Sequence, residues 1–163
     1  MTADPANALA PAMFRHGETR TIEKAIRRMV RAHDLQSKAL SKAVGLTSAQ
    51  LVLMKGIAEL GEVTSAALSV YADISAATVV TVLDNLEERG LIQRYRSGSD
   101  RRIVHTKLTE RGAAMVKAAP EPLGAMFLER FGRLGEAERR RITQAAVDLA
   151  NLLSRDIPGD NAA

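Results

Sequence analysis

From Gly45 to Gly90 the chain is punctuated so closely by helix caps and glycines that only short helices fit between them. Thr47-Ser48-Ala49-Gln50 is a capping box, with a hydroxyl at the cap and a glutamine three residues on. It opens a helix through Leu51, Met54, Ile57 and Leu60, which Gly61 stops. Thr64 caps a short helix carrying Leu68 and Tyr71. After the tight connection Ala72-Asp73-Ile74, Ser75 caps a third helix that runs to Arg89, with Gly90 as its stop. Val79, Val82, Leu83 and Leu86 form its apolar stripe and leave a polar outer face. Two short helices joined by a tight turn, the second polar on its outside, have the outline of a helix-turn-helix. The major groove of B-DNA is about 12 Å wide and admits one helix, so the helix before it must hold it by a close crossing. Ala67 and Ser69 flank Leu68 where that crossing is expected. Alone, the pair is a weak signal, because antiparallel helix pairs are common.

The segment after Gly90 strengthens that signal. Leu91 to Tyr95 alternates loosely, Ser97-Gly98-Ser99-Asp100 is a turn, and Ile103 to Leu108 alternates again, which predicts a two-stranded hairpin. Residues 91–112 carry Arg94, Arg96, Arg101, Arg102, Lys107 and Arg111 against Asp100 and Glu110. A guanidinium on a short projecting tip suits the minor groove, whose negative potential is greatest where it is narrow. Asp100 is expected to orient one of these arginines. The competing reading is a solvated turn with an exposed ion pair of little energetic weight.

Outside this region, Ile22, Ile26, Met29, His33, Leu40 and Val44 recur mostly every three to four residues, predicting an amphipathic helix from about Glu18 to Val44, closed by Gly45. It carries Arg20, Lys24, Arg27, Arg28, Arg31, Lys38 and Lys42, read first as a solvated face and second as a DNA contact. Thr109 caps a helix that must bend or break near Pro120 and Pro122. A last helix is expected from about Gly135 to Arg155, with Ile142, Ala146, Leu149 and Leu153 as its stripe. Residues 1–17, with Pro5 and Pro11, read as a poorly ordered lead-in. The expected order is thus four helices, a hairpin and two more helices: mainly α, with a small β-hairpin. Aromatics are only 3% of the 163 residues, so the core must come from Leu, Ile, Val, Ala and Met.

Leu46-Thr47 with Gln50, Ser75-Ala76-Ala77-Thr78-Val79, Leu86-Glu87-Glu88-Arg89-Gly90-Leu91-Ile92, Asp100-Arg101-Arg102 and Leu108-Thr109-Glu110-Arg111-Gly112 resemble the MarR family of transcriptional regulators. The resemblance runs from about residue 20 to 155, and the Asp-Arg-Arg wing followed by Leu-Thr-x-x-Gly is its most specific part. It implies a winged helix-turn-helix DNA-binding domain over 46–109 and a helical dimerisation arm from 18–45 and 110–156. It implies an obligate homodimer and a ligand cleft between that arm and the DNA-binding lobe. On the same basis Arg101 and Arg102 are minor-groove wing residues with Asp100 as ionic partner. Ser75, Ala77, Thr78, Val80 and Thr81 face the major groove, and Arg94, Arg96 and Lys107 meet phosphates. Many members carry arginine near Thr81 and near Asn85, and this chain has neither. Base reading is then expected to rest on hydroxyl hydrogen bonds and methyl contacts, leaning toward A·T.

Small carboxylates or phenolic acids are the effector class the resemblance implies, with His33 and Tyr71 as candidate cleft residues. Both have a bland alternative as packed structural residues. With no cysteine, thiol-based peroxide sensing is excluded. His16, His33 and His105 are far apart and lack a carboxylate-rich cluster, so no metal or other cofactor is expected. No phosphate loop, nucleophile with a base at recognisable spacing, or carboxylate pair points to an enzyme. A helical module for an acidic protein partner is the remaining alternative. No signal peptide or run of roughly 20 apolar residues is evident, so no membrane partner is expected, and a cytoplasmic location fits.

Overall fold

The computed structural model describes residues 16–154. Residues 1–15 of the expected lead-in, and residues 155–156 at the end of the expected arm, lie outside that range. The described residues divide into two compact units, one ending at Pro122 and one beginning at Leu123.

In the first unit, α1 (His16–Val44) is followed by α2 (Ser48–Leu60), α3 (Ser65–Ala72) and α4 (Ala76–Glu88). Then come β1 (Ile92–Arg96), β2 (Val104–Leu108) and α5 (Glu110–Ala118). Each short helix starts on the hydroxyl expected of it. Thr47 Oγ1 accepts from Gln50 N at 3.2 Å while Gln50 Oε1 accepts from Thr47 N at 2.9 Å. Thr64, Ser75 and Thr109 accept from Ala67, Thr78 and Gly112 N in the same manner. These bonds satisfy amide donors that a helix N-terminus otherwise leaves unpaired. Gly45, Gly61 and Gly90 end their helices with positive φ, as expected. Asp73 does the same at the end of α3 (φ 52), a position that asparagine and aspartate tolerate better than other side chains.

The core is one cluster. Leu51, Leu53, Met54 and Ile57 of α2 meet Leu68 of α3 and Val79, Leu83 and Leu86 of α4, with Leu46, Leu91 and Ile92 from the flanking segments. Each such side chain contributes about 1.5–3 kcal/mol by leaving water. Between α3 and α4 the chain turns through 111°, and the turn is held by Ser69 Oγ donating to Ile74 O and Ile74 N donating to Ser69 O. Of the two small residues expected at the crossing, Ser69 therefore acts through its hydroxyl, while Ala67 is exposed. The tight approach is elsewhere, between α2 and α3. A Cβ on Gly56 would stand 2.7 Å from the Tyr71 ring and 3.1 Å from Leu68.

The hairpin is antiparallel, with Ile92 opposite Leu108 and Arg96 opposite Val104. A third segment joins it: Val63, between α2 and α3, forms a bridge with Thr106 on the far edge of β2.

The second unit holds α6 (Ala125–Gly132) and α7 (Glu136–Ser154). Three helices therefore follow the hairpin among the described residues, where two were expected. Pro120 and Pro122 break the segment, as expected, but the chain resumes as a separate helix after Gly124 (φ 79). That helix has no side-chain cap, so no start signal marks it in the sequence. Within this unit Phe127 and Phe131 stack at 5.3 Å.

Candidate nucleic-acid interface

Burial splits α4 into two faces. Val79, Leu83 and Leu86 are buried, whereas Ser75, Ala77, Thr78, Val80 and Thr81 are all exposed. The outer hydroxyls are held in place. Ser75 Oγ and Thr78 Oγ1 are 2.9 Å apart, and Thr81 Oγ1 donates to Ala77 O at 3.0 Å. A hydroxyl keeps acceptor capacity after donating once, so each of these can still meet a base edge.

The wing begins where α4 ends. At its tip Asp100 Oδ1 accepts from Arg102 N at 2.9 Å and faces Arg102 Nε at 3.4 Å. Arg102 is nonetheless 93% exposed along its side chain, so its guanidinium is aimed and not covered. Arg96 Nη1 donates to Arg101 O at 2.8 Å, which ties the strand to the tip and leaves the Arg101 side chain in solvent. Ser97 Oγ accepts from Ser99 N and closes the turn. Lys107 lies with Nζ 5.2 Å from the Tyr95 ring centroid, a cation–π placement that keeps its charge on the outer face of the hairpin.

Arg94 is different. Its Nη2 lies 2.6 Å from both Asp84 and Glu87, and its Nε donates to Glu87 Oε2 at 2.8 Å. The hydrogen bond to Glu87 raises its already high pKa, and the same bond holds the Glu87 carboxyl below the ordinary carboxylate range. A cation so neutralised has little charge left for a phosphate. Its placement braces the wing against α4, with two carboxylates of that helix on its guanidinium.

The two candidate cleft residues each have a partner of their own. Tyr71 is half-exposed over Gly56, and its hydroxyl donates to Glu59 at 2.9 Å, a bond that raises the phenol pKa. His33, expected on the apolar side of α1, is exposed, with Nε2 3.5 Å from Ser37 Oγ. Among the described residues no hydrogen bond or ring contact joins His33 to Tyr71.

Two features escaped sequence reading. Gln50, legible as a cap, also reaches α4 through Asn85 and Arg89. Gly112, legible as part of a motif, sits so close to the hairpin that a Cβ would fall 2.0 Å from Leu91 O. Both depend on distant chain segments, for which spacing carries no signal.

A profile described as the MarR family matches residues 46–104. Transcriptional regulator HosA of Escherichia coli O157:H7 is 32% identical over 107 residues, covering 65% of this chain and 78% of HosA. FabT of Streptococcus pneumoniae, in its crystal structure with DNA, superposes with a TM-score of 0.65 at 23% identity, over 85% of this chain and 98% of FabT. BpsR of Bordetella bronchiseptica, in a structure concerned with regulation of its DNA binding by 6-hydroxynicotinic acid, superposes with a TM-score of 0.58 at 25% identity, over 78% of this chain and 98% of BpsR. The chain belongs to the MarR family, whose members are DNA-binding transcriptional regulators and not enzymes.

Proposed function

We propose that this protein is a ligand-responsive repressor that binds a pseudopalindromic operator as a homodimer. The observation that carries the reading is the wing tip, where a nearly fully exposed Arg102 is oriented by Asp100 beside the exposed polar face of α4. In this reading Arg101 and Arg102 enter the minor groove, and Ser75, Ala77, Thr78, Val80 and Thr81 meet base edges in the major groove. Arg96 and Lys107 meet phosphates, which supply position and salt-sensitive affinity. Arg94 holds the wing to α4 from behind.

The dimer is supported by apolar side chains left in solvent. Ile22, Met29 and Val30 of α1 are exposed, as are Met126, Phe127 and Leu128 of α6 and Ile142, Val147, Leu152 and Leu153 of α7. Such surfaces call for a partner, and a second copy of the chain supplies one. Two recognition helices related by a two-fold axis would then enter successive major grooves about 34 Å apart. Binding of BpsR to DNA being regulated by 6-hydroxynicotinic acid supports a small aromatic carboxylate as the effector class here. His33 and Tyr71 are the candidate residues on its path. The effector acts by favouring a dimer geometry whose helix spacing misfits DNA. The site of action is the cytoplasm, where the operator is, and the dimer represses by blocking polymerase.

Arg102→Ala tests the assignment. Operator affinity, read by fluorescence anisotropy, should fall about tenfold or more while sedimentation still reports a dimer. Unchanged affinity would remove the wing from the interface.

A further inference from the structure

The outer stripe of α4 continues from Thr78 and Thr81 to Asn85 and Arg89, at spacings that keep all four on one side of a helix. Its last two members are turned to protein. Arg89, the residue that ends α4, donates from Nη2 to the Gly45 carbonyl at 2.9 Å and from Nη1 to Gln50 Oε1 at 3.2 Å. Gln50 Nε2 donates in turn to Asn85 Oδ1 at 2.8 Å. The same Gln50 oxygen accepts from Thr47 N, and the Arg89 carbonyl accepts from Arg111 Nη1 of α5. Four segments therefore converge on one end of the recognition helix: the close of α1, the start of α2, the last turn of α4 and the first turn of α5.

Gly45 is the point that matters most. It is where α1 terminates, with φ +66, and its carbonyl is one that no further turn of helix can satisfy. A guanidinium suits it because two N–H groups in a fixed plane reach two acceptors at once. Val79, Leu83 and Leu86 hold α4 to the core by contacts that carry no direction of their own. Hydrogen bonds made by Arg89 and Asn85 add a directional constraint toward α1 and α2, as Arg94 does toward the wing.

We infer that Arg89, together with Gln50 and Asn85, is a positioning clamp that fixes the angle of the recognition helix relative to α1, and so fixes which half-site spacing the dimer accepts. This rests on the reading of α4 as the groove-binding helix and of α1 as part of the dimer arm. It makes Arg89 a determinant of specificity that touches no DNA. It also confines base reading to the N-terminal half of α4.

The test uses the full chain, a palindromic operator, the same operator with one base pair added or removed at its centre, and a random duplex of equal length. Arg89→Gln should lower affinity for the best spacing about tenfold and flatten the ratio between spacings, with random-duplex affinity and its salt slope unchanged. Arg89→Lys, which keeps the charge but cannot span both acceptors, should behave the same way, and wild-type circular dichroism spectra of both variants exclude a folding defect. Three results would overturn the clamp: a wild-type spacing ratio in Arg89→Gln, full rescue by lysine, or a parallel drop in random-duplex affinity with a shallower salt slope, which would make Arg89 a phosphate contact. A wild-type protein with no preference for the operator over random duplex would instead overturn the reading of the site itself, and the clamp with it.

Discussion

Arg94 and Glu87 bind each other across the junction of α4 and β1, and the direction of their shifts sets the pH behaviour of that junction. The Glu87 carboxyl is held below its ordinary range, chiefly by the hydrogen bond from the Arg94 side chain. A group whose folded pKa is lowered contributes stability that is complete above its unfolded value, about 4.3, and disappears as pH falls through the folded one. Glu87→Gln should therefore melt at a lower temperature than wild type at pH 7, with the gap closing toward pH 3; a gap independent of pH would mean that the carboxylate charge is irrelevant. The outer face of α4 carries its own residue-scale prediction. With Thr78, Val80 and Thr81 on that face and no arginine among them, single A·T→G·C changes in a half-site should each cost about 1–3 kcal/mol of binding at the positions these side chains read. Tolerance at every position would refute an A·T preference. At this scale the sequence displayed which residues are cationic but not which cations are already paired. Arg94 and Arg102 look alike in a string, and only the fold puts two carboxylates beside the first and solvent around the second.

The helices of the first unit were legible because their starts are written in single residues: Thr47, Thr64, Ser75 and Thr109 each bond an amide three positions on. Local chemistry of that kind survives in sequence. The start of α6 has no such bond, and its glycine N-cap is indistinguishable from a loop glycine. The junction of β2 and α5 shows what a motif conceals. Thr109 caps α5 and also donates to Gly90 O at 2.8 Å, while Thr109 N donates to Leu91 O at 3.1 Å. The first turn of α5 is thereby drawn onto the chain just after α4, and Gly112 is the residue that lets it approach. A methyl there would strike the Leu91 carbonyl, which is backbone and cannot swing aside. Gly112→Ala should destabilise the protein by about 2–4 kcal/mol in urea unfolding, despite alanine's better helix propensity. A neutral or stabilising result would show that the junction can open without cost.

For the molecule as a whole, the burial pattern is uneven. The helix-turn-helix and hairpin enclose a complete core, whereas α6 and α7 contribute no buried residue of their own. No single helix among the described residues is long and apolar enough to cross a membrane. If a second copy covers the exposed faces, Met29→Glu on α1 should give a monomer by sedimentation. It should lose operator affinity by more than any single wing substitution, because both half-sites depend on the pairing. A stable dimer with that substitution would move the interface away from α1. The bridge between Val63 and Thr106 bears on how such a protein behaves when crowded. The amide and carbonyl of Thr106 are both taken by Val63, and on the opposite margin of the hairpin the Arg94 amide is taken by the Glu87 carboxylate. A projecting two-stranded ribbon ordinarily offers bare margins on which another chain can polymerise. Here the mid-strand amide on each margin already has an acceptor, so the wing is a poor template for another chain to extend edge to edge.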